Sequence, residues 1–170
     1  ACMLMFNSAG VWQHSTYIGG NSVDGLYDMV FDNSGNLFVV GSTSSSDFPW
    51  LYNGTAYIDS TLGGSDAVLM KFNGSLVRQF ATLYGGSIAG SADDADAFTS
   101  VDVDNAGNVM VVGWADTRDF PVFDGPCSNE YLDGAMGDGS GADAYDGAIV
   151  SFTNTGVRRW ASYVGGDNWD

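Results

Sequence analysis

The sequence predicts an all-β chain of repeated four-stranded antiparallel units, about two and a half of them, and three observations predict it. The chain repeats itself: Phe31–Pro49 recurs as Val103–Pro121, offset by 72, and Asp66–Gly86 recurs as Asp146–Gly166, offset by 80. A partial copy, Ala1–Gly20, aligns with Ala67–Gly86 at an offset of 66. A period of this size made of short apolar runs is the mark of stacked or radial sheet units. The composition agrees, with 24 Gly, 14% aromatic residues and little helix-favouring Glu, Lys or Leu in 170 residues. Finally, no apolar spacing sustains a helical period over several turns.

The elements follow in order. Residues 1–18 read as a hairpin, the last two strands of a preceding unit. The first full unit occupies 19–84: a strand at 26–32, a tight turn at 33–36, a strand at 37–43, a long loop at 44–65, a strand at 66–72, a turn at 73–76 and a strand at 77–84. Asn33-Ser34-Gly35-Asn36 places Gly where a hairpin needs positive φ. The second unit, 85–164, repeats this with strands at 98–104, 109–114, 146–152 and 157–164, and residues 165–170 open a further unit. Four-stranded meanders of this kind build β-propellers.

The motifs also resemble a known family. The strand ends STYIGG (15–20), ATLYGG (81–86) and ASYVGG (161–166), the turns DNSGNL (32–37) and DNAGNV (104–109), and the Val-Val-Gly strands leading to Asp-Phe-Pro loops are similar to the SBBP type of β-propeller repeat. The segment at 156–163 resembles copies in secreted proteins of the Bacteroidetes. The resemblance implies a propeller and secretion, and implies no catalytic activity. Two segments depart from the pattern: the Val23–Leu26 entry, which lacks the usual acidic pair, and the extended loop from Cys127 to Asp143. Two and a half blades fall short of the roughly four to eight of a closed ring, so the chain is expected to be part of a longer protein, met by further blades or other protein at both ends.

Charge narrows the partners. Five Lys and Arg against 21 Asp and Glu give −16, which disfavours nucleic acid and anionic membranes and favours divalent cations or a basic protein surface. No apolar run is long enough for membrane insertion, no secretion leader is visible, and a first residue of Ala suggests an upstream segment. Cys2 sits in an apolar run and reads as a buried thiol, Cys127 lies in a loop, and no disulfide between them is expected.

In a meander, connections alternate between the two ends of a sheet, so the four tight turns share one end and the long loops the other. Thirteen of the 21 carboxylates, from Asp24 to Asp143, fall on the long-loop side, and only Arg118 opposes them. Closely spaced carboxylates on Gly-rich loops suit Ca²⁺, with Asp93, Asp94 and Asp96 as the first candidate site and Asp138 and Asp143, beside Asp146, as the second. Trp50, Tyr52, Tyr57 and Tyr131 on the loops are candidates for stacking on sugar rings. Asp32 and Asp104 are expected to accept from their own turn amides, Asp66 and Asp146 to stabilise strand starts, and His14, the only histidine, to fill a packing position. With no second His and no distinguished carboxylate pair, the reading is a non-enzymatic extracellular or cell-surface scaffold, adhesion or binding module. The alternative is a carbohydrate-binding or carbohydrate-active propeller using the acidic face.

Overall fold

The computed structural model describes residues 1–87, 95–125, 134 and 145–166. Ten antiparallel strands form them, in sheets of two, four and four. The hairpin consists of β1 (Cys2–Phe6) and β2 (Trp12–Tyr17). The first large sheet holds β3 (Asp24–Phe31), β4 (Leu37–Thr43), β5 (Asp66–Phe72) and β6 (Arg78–Tyr84). The second holds β7 (Ala97–Val103), β8 (Val109–Ala115), β9 (Asp146–Phe152) and β10 (Arg158–Val164). In both, neighbours in sequence are neighbours in the sheet, so each is a simple meander.

One turn design closes the tight connections. Asn7, Asp32, Asn73 and Asp104 each accept from amides two and four residues on, closing the loop with the side chain. The residue three positions on takes positive φ: Gly10, Gly35 and Gly107, but Leu76 at 57°. The Thr153 turn is built the same way around Gly156. A non-glycine residue pays about 1–2 kcal/mol for that conformation, so Leu76 is the strained member of the series.

β4 explains how the sheets stack. Phe38 and Val40 point into one core and Leu37 and Val39 into another, so the strand is apolar on both faces and reads as a continuous run. The first core lies between the large sheets, where β7 packs across β3, β4 and β5. Phe38, Leu69, Phe80 and Tyr84 meet Phe98, Val109, Val111, Phe152 and Tyr163 there. The second core lies between the first large sheet and the hairpin, with Ile18 and Met3 beside Val39, Val68, Met70 and Leu83.

Three expectations need correction. Cys2 is exposed, because the outward side of the hairpin has no layer over it among the described residues. His14 is exposed for the same reason, opposite Met5 in the hairpin, and fills no packing position. The long loop does not stay at one end. It leaves β4, bridges back onto β6 through Leu51 and Ala81, and reaches the opposite end of the second sheet. There the Tyr57 amide donates to Gly156 O at 2.8 Å and the Asn53 side chain to Thr155 O at 3.0 Å. The second loop begins the same way, through a Phe123–Ala161 bridge.

Candidate functional site

The long-loop end is built around the Gly-Gly pair that closes each outer strand. After β6, the Gly86 amide donates to Asp96 Oδ2 at 2.9 Å and to Thr117 Oγ1 at 3.0 Å. The Ser87 amide and hydroxyl donate to Asp119 at 2.8–3.1 Å. Thr117 Oγ1 in turn donates to Asp96 Oδ2 at 2.6 Å, and the Asp116 amide to Asp96 Oδ1 at 2.8 Å. The start of β7 and the Asp-Phe-Pro loop after β8 thus clasp the end of the preceding sheet. A methyl on Gly86 would stand 2.3 Å from Thr117 Oγ1 and 2.4 Å from Asp119 Oδ1, which is why glycine is required there.

The same clasp holds the hairpin to the first large sheet. The Gly20 amide donates to Asp24 Oδ2 at 2.9 Å, the Asn21 amide to Asp47 Oδ1 at 2.7 Å and the Ser22 amide to Ser45 Oγ at 2.8 Å. Thr43 and Ser45 hydroxyls donate to the two oxygens of Asp24. Phe48 and Phe120, of the two Asp-Phe-Pro loops, are buried beneath. Sequence reasoning placed these aspartates on the acidic end but missed the amides they serve; the signal was the joint recurrence of Gly-Gly, the strand-entry Asp and Asp-Phe-Pro.

The seam is tied elsewhere by groups that the sequence reading also passed over. Arg158 stacks on Tyr57 and Phe123, with its guanidinium 4.6 and 4.4 Å from the ring centroids, and donates to Pro121 O at 2.8 Å. Its counterpart Arg78 donates to Pro49 O at 2.5 Å, so an arginine braces each Asp-Phe-Pro loop. At the tight-turn end, Lys71 of β5 donates to the side chain and carbonyl of Asn154. Asn154 donates to Asp32 Oδ2 at 2.9 Å, and Asn33 to Asn105 at 3.2 Å. Asp32 and Asp104 accept from their own turns, as expected. Burial opposes ionisation of Asp32, but bonds from Asn36 and Asn154 outweigh it and hold its carboxyl down to about 2.

Of the candidate metal ligands, Asp96 is fully buried and both its oxygens are engaged in the clasp. Asp93, Asp94, Asp138 and Asp143 lie outside the described residues, as does Tyr131. Among the described residues, no three His, Cys, Asp or Glu side chains come together in a group fit to hold a metal ion. Trp50 and Tyr52 are exposed on the long loop, Tyr52 bonded to Gly54 O at 2.8 Å. Tyr57 is committed to the seam, its ring 5.0 Å from that of Tyr84. A polar cleft of about 190 Å³ opens at the second clasp between Asp59, Thr61, Gly86, Ser87, Asp119 and Pro121. A second, of about 230 Å³, lies among the tight turns at Asp32, Asn33, Asp104, Asn105 and Asn154. Both are below the roughly 300 Å³ at which small-molecule sites usually begin.

No curated protein matches the chain. Residues 13–49 match the family model SBBP, described as a beta-propeller repeat. That stretch contains one complete clasp, from Gly19 and Gly20 through Asp24, Thr43 and Ser45 to Asp47. Over residues 13–49 the chain thus carries the SBBP beta-propeller repeat, a repeat family that points to a propeller-type binding or scaffold module.

Proposed function

We propose that the chain is a non-enzymatic scaffold or adhesion module of a secreted or cell-surface protein, and that it works by stacking against further protein at both ends. The observation that carries this is the contrast between one sheet face and its repeat. Val40 and Tyr84 are 0% exposed at the seam, whereas Val112 and Val164, at the matching positions of the second sheet, are 41% and 47% exposed. Trp114 is also exposed, although its ring lies 6.5 Å from that of Tyr27 in the first large sheet, and Leu4, Phe6 and Trp12 are exposed on the hairpin. Contiguous apolar surface of this kind marks an interaction site, and the packing at the first seam supports another meander sheet as the partner.

The test is the association state of the chain by sedimentation, with Val112→Asp and Trp114→Asp variants. Concentration-dependent self-association that these variants abolish supports the reading. A chain that stays monomeric and cooperatively folded at all concentrations overturns it. The second reading, glycan binding through the loops, is favoured by exposed Trp50 and Tyr52. A glycan array and a hydrolase screen decide that reading.

A further inference from the structure

Asp66 is the first residue of β5, and neither the clasp nor the proposed function uses it. It is 0% exposed, and its Oδ2 is buried without a hydrogen-bond partner. Oδ1 receives only the Gly63 amide, at 3.2 Å. The side chain points to the same place as that of Asp96 across the seam: a methyl on Gly85 would stand 2.6 Å from Asp66 Oδ1 and 2.8 Å from Asp96 Oδ2. Two carboxylates that converge in a dry seam do not both ionise unless something neutralises them.

Their surroundings decide which one stays charged. Burial raises the Asp96 carboxyl too, but Asp96 accepts from the Gly86 and Asp116 amides and from the Thr117 hydroxyl, and these donors work for its anion. Asp66 has one long bond and an oxygen with no donor. The other ionisable groups around it are acidic: Asp59 from the long loop and Asp119 from the Asp-Phe-Pro loop, in addition to Asp96 from β7. Tyr57 lies nearby on the long loop, Tyr163 of β10 faces Asp96, Asp119 and Asp146, and Arg158 is stacked on Tyr57.

We infer that Asp66 holds a proton in the assembled seam, so that the joint between the two large sheets is tight in acid and loosens as the pH rises. Burial, with the charges of Asp96, Asp59 and Asp119 added, pushes its carboxyl up to about 7 against the single bond from Gly63. The folded chain therefore keeps a proton that the unfolded chain releases near the ordinary value of 3.8. Stability from this group is complete below that value, falls as the pH climbs towards about 7, and is level above it. The chemistry is proton binding alone and needs no ligand, and the inference stands apart from the proposed function.

The experiment compares urea unfolding of the full chain and of Asp66→Asn between about pH 4.5 and pH 8.5. The wild-type unfolding constant should rise by up to about tenfold per pH unit across the lower part of this range and then level off. Asp66→Asn, which mimics the protonated acid, should lose most of that slope and outlast the wild type at the alkaline end. Equal slopes in the two proteins overturn the inference. Carboxyl ¹³C NMR of the wild type decides independently of whether the variant folds: an Asp66 resonance that titrates near neutrality supports it, and one that titrates with the exposed aspartates overturns it.

Discussion

The two clasps use the same residues at two depths. At the hairpin, Asp24 is only partly buried, and Gly20 and Asn21 are open to water. At the seam between the large sheets, Asp96, Thr117 and Gly86 are buried. In both, the second glycine of the pair and the residue after it donate their amides to matching aspartates at 2.7–3.1 Å, so the geometry of these bonds says little about their worth. What differs is the alternative for the glycine amide: released at Gly20 it finds water, and released at Gly86 it finds none. The comparison teaches that a repeated motif repeats its geometry without repeating its energetics, and that the second copy of this motif is the one on which the fold depends.

The largest expected effect would break the comparison outright. Asp96→Ala strands the Asp116 amide and the Thr117 hydroxyl in the seam, leaves the Gly86 amide only its bond to Thr117, and should cost about 3 kcal/mol, against about 1 kcal/mol for Asp24→Ala, both read from urea midpoints. Equal losses would mean that depth does not matter. Next come the glycines. Gly86→Ala forces a methyl against buried Thr117 and exposed Asp119, and Gly20→Ala forces one against buried Ser45 and exposed Asp47, so each should cost about 2 kcal/mol; unequal losses would mean that the shared geometry does not set this term.

The same contrast can be sharpened at the tight turns. Gly10 and Gly156 both have positive φ, but a methyl on Gly10 meets nothing within 4 Å, whereas one on Gly156 lies 2.9 Å from Ala56 Cβ and 3.0 Å from Phe80. Gly10→Ala should therefore show the backbone term alone, about 1 kcal/mol, and Gly156→Ala roughly double that, measured in the same way. The smallest effect is in acid. The lowered carboxyl of Asp32 contributes stability that is present above 3.8 and lost as the pH falls through about 2. Asp104 is lowered too, by its own turn, but lacks the Asn154 bond from across the seam. Asp32→Asn should flatten the acid limb of the unfolding profile more than Asp104→Asn does.

Much of this was legible in the sequence. Strand order, the tight turns and the hairpin follow from the repeat and from the Asn/Asp-x-x-Gly spacing, because those features are local. Asp32 and Asp104 were assigned correctly for the same reason: an Asx turn is settled within four residues. The clasp was not legible in detail, since its donors are main-chain amides of the previous unit and any sequence has amides. Phe48 and Phe120 sit in loops but are buried, and Cys2 and His14 sit in strands but are exposed, because burial depends on the neighbouring layer and not on the strand itself. The long loop's path to Gly156 depends on Arg158 stacking beneath Tyr57, a contact between residues about a hundred positions apart that no periodicity encodes.

The clasp also has a direction. The side chains that accept from these amides always lie downstream of them: Asp96, Thr117 and Asp119 close on Gly86 and Ser87, just as Asp24, Ser45 and Asp47 close on Gly20, Asn21 and Ser22. A chain that leaves the ribosome amino-terminus first therefore finishes each sheet before it can fasten it. Residues 24–84 can form their meander, but the Gly-Gly end waits until Asp119, some thirty residues downstream, has emerged. Translation order is thus written into the joint: at both clasps the latch emerges after the sheet end that it closes.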